Sequence, residues 1–294
     1  METAASQYDS LSHVSDEASW VVKAAAEGRY LRIRDWVSSF LPTFRDLFIY
    51  LPAAYLHDAS RRFPLLLMHD GQNLFDGTLS YVKDCTWRVG STADREIAAG
   101  RVEPLVIVGV ANTGVERLAE YTPTPDTKLG GGKGDLYARM LVEELLPMLR
   151  ESYRLSPGPE HVGIAGSSLG GLISLAIALR YHDQFGKVGV LSPSIWWDNR
   201  TILKDVRSLP ETLPLRIWLD MGTAEGTRHV RDAALLAHLL QSKGWTPGDT
   251  LLFQQFEGAV HNEGAWAERL PDVLRFLFPA LPTGSRCTNS ETSP

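Results

Sequence analysis

Six short, almost unbroken apolar runs recur along this chain: PLLLMHD (64–70), PLVIVGV (104–110), HVGIAGS (161–167), KVGVLSP (187–193), LRIWLDMG (215–222) and TLLFQQF (250–256). A strand that is apolar on both faces is one that is covered on both faces, as in a parallel sheet. Between these runs the apolar spacing predicts helices over 135–150, 169–182, 228–243 and 264–277. In the first of them Leu136, Met140, Leu141, Leu145, Met148 and Leu149 share one side, and Pro147, lacking an N–H, is expected to kink or end it. Two earlier segments, YLRIRDW (30–36) and FRDLFIYLP (44–52), alternate or nearly alternate and predict an antiparallel pair at a sheet edge with one solvated face. A parallel crossover needs a helix-sized connection, so strands alternating with helices imply an α/β fold. The expectation is a mostly parallel central sheet with an antiparallel N-terminal edge and helices on both faces. Chemistry in such sheets gathers beyond the carboxyl ends of the strands.

Composition narrows the picture. With 294 residues, 44% of them hydrophobic, the chain can bury a sizeable core. Residues 1–18 and 282–294 have the polar composition of loosely ordered termini, leaving 19–281 as one expected catalytic domain without a repeat or linker. A net charge of −6 without any Lys/Arg block gives no pull toward nucleic acid or an anionic membrane, so the expected partner is a small, neutral molecule. Two cysteines, Cys85 and Cys287, make neither a disulfide framework nor a metal cluster. With no apolar leader or membrane-length run, the expected location is the cytoplasm.

The run at 161–167 passes into Gly166-Ser167-Ser168-Leu169-Gly170, a Gly-x-Ser-x-Gly match at a strand-to-helix junction. A serine at the tip of so tight a turn exposes its hydroxyl, and flanking glycines let strand and helix approach without a Cβ clash. The register selects Ser168 as a nucleophile. The Leu169 N–H, at the start of the next helix, is placed to stabilise developing negative charge.

A serine hydroxyl attacks only when a base takes its proton. Of the eight histidines, four (His13, His57, His69, His161) precede Ser168, and His182, His229 and His238 fall in or beside predicted helices. His261, in the loop EGAVHNEGAW after the last predicted strand, is the expected base. The acid should follow the strand before last, where Glu225 is the choice as a loop carboxylate. Asp220 is expected within the strand end, Asp232 on the exposed side of the next helix, and Asp198, after SPSIWW, is an outside candidate. A second oxyanion donor is expected at the turn HDGQNLFDG, where Gly71 lets the chain fold back and the Gln72 N–H can face Ser168; the same turn also reads as a structural one held by Asp70 and Asn73. KLGGGKGD (128–135) looks like a phosphate loop but lacks a Ser/Thr after Lys133 and a strand before it, so it reads as a flexible surface loop.

Taken in order, YLPAAY, HDGQNLFDG, ERLAEYTP, GSSLGG, SPSIWWDN, GTAEG and HNEGAW make residues 28–280 resemble the esterase family of α/β-hydrolases that includes enterochelin esterase-like and esterase D-like enzymes, feruloyl and acetylxylan esterase domains and mycolyl transferases. The resemblance implies an α/β-hydrolase fold with no separate lid domain. It implies Ser168 as nucleophile, His261 as base, Glu225 as its acidic partner and the N–H groups of Gln72 and Leu169 as oxyanion hole. It also suggests Arg117, Tyr121 and Trp197 as substrate neighbours. Trp196, Trp266 and Phe75 are further aromatics near the expected site.

The expected activity is serine esterase hydrolysis of short acyl or aryl esters through an acyl-enzyme, with no metal or organic cofactor. An acyltransferase or a siderophore trilactone hydrolase would use the same triad. Holding an anionic iron complex would require cations, for which Arg117, Arg200 and Arg228 are the candidates. A catalytically silent binding module of the same fold is the reading from another class. Oligomeric state is not legible.

Overall fold

The computed structural model describes residues 29–280. The expected loose termini, with His13 and Cys287, and the outermost residues of the expected catalytic domain lie outside the described residues.

Eight strands form one sheet: β1 (Arg29–Trp36), β2 (Arg45–Leu51), β3 (Leu65–His69), β4 (Val106–Val110), β5 (Val162–Ser167), β6 (Lys187–Leu191), β7 (Arg216–Gly222) and β8 (Leu251–Phe256). Their spatial order is β1-β2-β4-β3-β5-β6-β7-β8. The pairs β1–β2 and β2–β4 are antiparallel and every later pair is parallel. This is the mixed sheet expected from the sequence and the arrangement of an α/β-hydrolase. One detail differs: β2 has no solvated face, since Leu47 through Leu51 are all buried. Paired on both sides, β2 is an interior strand, and β1 alone lies at that edge.

Side chains alternate across the strands and divide the core into two layers. Leu65, Leu67, Val106, Val108, Ile164, Val188 and Ile217 face a layer built by the helix α1 (Leu169–Arg180), the helix α2 (Thr227–Ser242) and a helical run from 134 to 152. Leu66, Met68, Ile107, Ala165 and Trp218 face the other layer, closed by Val89–Ala98 and by α3 (Glu263–Leu277). The helix Val89–Ala98 and the helix Trp197–Ser208 were not anticipated. Both bury residues at helical spacing, Val89, Thr92, Ala93 and Glu96 in the first and Ile202, Leu203 and Val206 in the second, among many polar residues.

The run at 134–152 does not break at Pro147. A π turn, Met140–Leu145, directly precedes it, so the run accommodates the proline by a local change of helical pitch and continues through Leu146–Ser152. KLGGGKGD is ordered rather than flexible: Gly130–Gly131 pairs with Pro125–Asp126, and a Cβ on Gly131 would fall 2.4 Å from Thr122 Oγ1 and 2.8 Å from the Trp197 ring. Gly131, Gly132 and Gly134 serve close approach, whereas Gly130 stands in open space at a positive φ. No described helix is long and apolar enough to cross a membrane.

Candidate active site

β5 ends in Ser167, and Ser168 stands between strand and helix with φ 58° and ψ −121°. This is a left-handed conformation that costs a non-glycine residue about 1–3 kcal/mol. The surroundings enforce it. A Cβ on Gly166 would lie 2.9 Å from both the Gly170 carbonyl carbon and His69 Cδ2, so the strand and helix can close only around glycine. The Ser168 N–H is tied to Leu191 O at 3.0 Å, and its carbonyl accepts from Ser194 N at 3.0 Å. Its hydroxyl meets Ser194 Oγ at 3.3 Å.

Ser168 opens on a cavity of about 350 Å³ that also presents Glu225 and His261. Ser192, Pro193, Ser194, Trp196, Met221 and His229 complete its lining. Each group reaches the cavity from the carboxyl end of a strand: Ser168 after β5, Ser192 after β6, Glu225 in a turn (Thr223–Glu225) after β7, and His261 in the loop after β8. The acid turn and the histidine loop are laced together, since Ala224 N donates to Ala259 O at 3.2 Å and Gly258 N to Thr223 Oγ1 at 2.8 Å. Gly222 permits that closeness: a Cβ there would lie 2.2 Å from Ala259 O.

His261 Nδ1 lies 2.6 Å from Glu225 Oε2. Glu225 is almost fully buried, its side chain 2% exposed, and its Oε1 accepts from Ser192 Oγ, Gly222 N and Arg269 Nη2 at 2.6, 2.9 and 3.2 Å. Burial opposes its ionisation. Hydrogen bonds from His261, Ser192 and Gly222, with the charge of His261, outweigh that and bring the carboxyl down to about 2. An ionised carboxylate only accepts, so Nδ1 carries a proton, and in the neutral tautomer this fixes, Nε2 bears the lone pair. The imidazole stands edge-on to Trp266 at 4.9 Å, and Asn262 caps α3 by accepting from Ala265 N at 2.9 Å.

Of the four carboxylates weighed from the sequence, Glu225 is the one bonded to His261. Asp220 lies in β7, fully buried, accepting from Trp218 Nε1 and Arg269 Nη1 at 2.7 Å each. Burial pushes it up to about 6 against those partners. Asp198 accepts from Thr201 Oγ1 at 3.0 Å beside a left-handed turn at 198–200. Asp232, expected on the exposed side of its helix, is instead 4% exposed, because Arg200 folds over it in an ion pair at 2.9 Å.

The turn after β3 (Gly71–Asn73) lies against the elbow: a Cβ on Gly170 would be 3.3 Å from His69 Cβ and 3.6 Å from Asp70 Oδ2. The N–H of Leu169 opens α1 and that of Gln72 belongs to the first turn of a 3₁₀ helix, so neither has a partner within its own helix. The Gln72 side chain is held by Asn112 N at 3.1 Å and lines a different cavity, of about 410 Å³. Asn73 links the turn to the base of the histidine loop through Glu263 at 3.3 Å. Below lies a buried polar chain in which the Tyr121 hydroxyl accepts from Asp70 N at 3.1 Å and Tyr137 meets His69 Nδ1 at 2.9 Å. Burial drives His69 down to about 3, so it is neutral.

The three expected substrate neighbours sit differently. Tyr121 is fully buried in that chain, and Trp197 is 1% exposed with its indole N–H on Thr124 O at 2.8 Å. Neither lines the cavity; Trp196, whose ring meets that of Trp197 at 5.8 Å, does. Arg117 forks onto Asp70 with two 2.7 Å bonds and stacks on Tyr121 at 4.9 Å. Ser192, Ser194, Met221 and Arg269 are not singled out by the sequence, and His229, set aside there as a helix residue, lines the cavity. The serines and Met221 were findable from their place at strand ends. Nothing in the sequence separates a buried Arg269 from a solvated one. Among the described residues no group of three or more His, Cys, Asp or Glu side chains is placed to hold a metal ion.

Residues 38–277 match the family profile described as Putative esterase. The chain belongs to this esterase family. The esterase is 30% identical over 248 residues to YbbA, an uncharacterised protein of Bacillus subtilis, covering 80% of this chain and 92% of that one. It is 26% identical over 175 residues to an iron(III) enterobactin esterase of Dickeya dadantii, a match covering 60% of this chain and 36% of the relative. Among solved structures, the enterobactin esterase of Shigella flexneri superposes with a TM-score of 0.67 at 22% identity, over 84% of this chain and 58% of that one. The esterase is thus an α/β-hydrolase related to siderophore esterases, and an ester hydrolase by family.

Proposed function

We propose that this esterase cleaves carboxylic esters with Ser168 as nucleophile, His261 as general base and Glu225 as the group that orients and charges-balances the imidazole. The observation that carries the reading is the 2.6 Å bond between His261 Nδ1 and Glu225 Oε2, in the cavity onto which Ser168 opens from its left-handed turn. His261 Nε2 accepts the Ser168 proton as Oγ attacks the ester carbonyl carbon. The N–H groups of Leu169 and Gln72 receive the oxyanion. As the C–O bond breaks, the leaving alcohol takes the proton from the imidazolium. Water, deprotonated by the same nitrogen, then releases the acid and restores the serine. The cycle needs no cofactor, and a reducing, cytoplasmic setting fits the free Cys85 thiol.

For the substrate, the cavity favours short acyl or aryl esters: Trp196 and Met221 offer apolar surface, and Ser192, Ser194 and His229 offer polar groups. Siderophore lactone hydrolysis is the second reading, and the enterobactin and salmochelin esterases among the relatives support it. Both are tested in one panel: p-nitrophenyl esters of graded chain length, aryl esters and a catecholate trilactone with and without iron, each run with wild type and Ser168→Ala. Turnover abolished in Ser168→Ala with its fold intact is expected; wild-type-like turnover in that variant overturns the nucleophile.

A further inference from the structure

Behind the cavity lies a charged cluster that the reaction scheme does not use. Arg269, on α3, is 1% exposed, yet its guanidinium spans two carboxylates: Nη1 bonds Asp220 Oδ1 at 2.7 Å and Nη2 bonds Glu225 Oε1 at 3.2 Å. Nη1 also donates to Ser192 Oγ at 2.9 Å, and Phe256 backs the group at 5.1 Å. We infer that Arg269, braced by Asp220 and Ser192, is a positioning residue that locks the Glu225 carboxylate and sets how tightly His261 holds a proton. The inference rests on the Ser168–His261–Glu225 reading and extends it.

The lock follows from donor counting. Ser192 Oγ accepts from both Arg269 Nη1 and Trp266 Nε1, the latter at 3.0 Å, so its own proton has one direction left, toward Glu225 Oε1. With Gly222 N and Arg269 Nη2 on the same oxygen, rotating the carboxylate would break three bonds at once. Oε2 is therefore left for His261 alone. The charge setting follows from the sum. Facing His261 are Glu225 from the turn after β7, Asp220 from β7 behind it, Arg269 from α3, and His229 from α2 across the cavity. Above about pH 6, where Asp220 as well as Glu225 is ionised, the cation Arg269 stands against two anions. Removing the arginine makes the surroundings of the imidazole more negative, and removing Asp220 makes them less so. An arginine that only pinned α3 to the sheet would change stability and leave His261 untouched.

The test is an NMR titration of the His261 Cε1–H, assigned with His261→Asn, in wild type, Asp220→Asn, Arg269→Met and the double variant. Asp220→Asn is nearly isosteric and is expected to lower the His261 pKa by about one unit, whereas Arg269→Met raises it by about one unit and the double variant returns close to wild type. The acid limb of kcat/KM for p-nitrophenyl acetate should move in step. Should Arg269→Met fail to fold, Asp220→Asn alone decides. A His261 pKa unmoved in Asp220→Asn, or displaced in the same direction by both single changes, overturns the inference. Failure of the underlying reading has a separate signature, namely p-nitrophenyl acetate hydrolysis that survives His261→Ala.

Discussion

Glu225→Gln tests the acid with the shape of the side chain preserved. In the folded protein three donors converge on Glu225 Oε1, from Ser192, Gly222 and Arg269, and one on Oε2, from His261. The amide oxygen of the variant will occupy the three-donor position, because turning it round would set an NH₂ against all three. The NH₂ then faces His261 Nδ1 and can only donate. Nδ1 must give up its proton, the imidazole switches to the Nε2–H tautomer, and the nitrogen turned toward Ser168 loses its lone pair. The energetic scale comes from the carboxyl itself, held at about 2 against an ordinary value of 4.5. That gap corresponds to roughly 3 kcal/mol, which screening at the half-exposed imidazole reduces to about 2 kcal/mol. The tautomer switch adds a kinetic penalty, so kcat should fall about 10³- to 10⁴-fold. Glu225→Ala, which leaves the imidazole free to choose its tautomer, should lose less, about 100-fold. The assay is kcat and KM on p-nitrophenyl acetate at pH 8, normalised by fluorophosphonate titration of the reactive serine. A Glu225→Gln enzyme within about tenfold of wild type, at equal titratable serine, would refute the reasoning.

Two further outcomes concern stability. Because Ser168 is held at φ 58°, Ser168→Gly should unfold at higher denaturant than Ser168→Ala, by about 1 kcal/mol, since only glycine relieves the strain; a less stable glycine variant in guanidinium titrations would show that the elbow stores none. Glu96 is buried beneath Arg101 and Arg275, with bonds of 2.7 and 2.8 Å. The Arg101 hydrogen bond, opposed by burial and aided by Arg275, lowers its carboxyl from 4.5 to about 2. A depressed carboxyl stabilises the fold above its unfolded pKa and loses that contribution as pH falls through the folded one. Glu96→Gln should therefore be less stable than wild type at pH 7, with the gap in urea midpoints closing between about pH 4.5 and 2; a gap independent of pH would contradict the ion-pair account.

Much of this molecule could be read from its sequence, and the exceptions share a cause. All six apolar runs become strands, and five of them, β3 to β7, are covered on both faces as expected; β8, expected to be covered likewise, is instead the far edge strand, with only Leu251 buried and Gln255 exposed. The solvated face expected of β2 rests on Arg45 and Asp46, which interrupt its run, yet Arg45 is buried against Glu120 at 2.9 Å. Asp232 and Arg269 fail in the same way. Each is a charged residue whose partner lies far off in the chain, and a local pattern reads it as solvated. Trp196 and Trp197 show a second limit: the pair is visible in the sequence, but which indole lines the cavity is a matter of tertiary packing, Trp197 being held by Thr124 O and Trp196 left at the cavity wall. Order along the chain singles out Ser168, Glu225 and His261 as candidates, and the fold brings them to one cavity. Only the fold brings Ser192 and Arg269 against them.

Paired charges also bear on which esters fit. Arg117 and Arg200, two of the three cations considered for an anionic substrate, are engaged with Asp70 and Asp232, side chains that are 9% and 5% exposed. Drawing either arginine onto a ligand would strand a buried carboxylate, at about 3–5 kcal/mol. That outlay cancels much of what a new ion pair returns. The Asp70 fork, moreover, holds the turn that carries the Gln72 N–H, so an anion pulling on Arg117 would disturb the proposed oxyanion hole. Arg228, exposed at the start of α2, is the remaining candidate, with His229 beside it in the cavity wall. A siderophore lactone turned over by this enzyme would therefore be gripped from the α2 side, and a neutral ester needs none of these pairs to open.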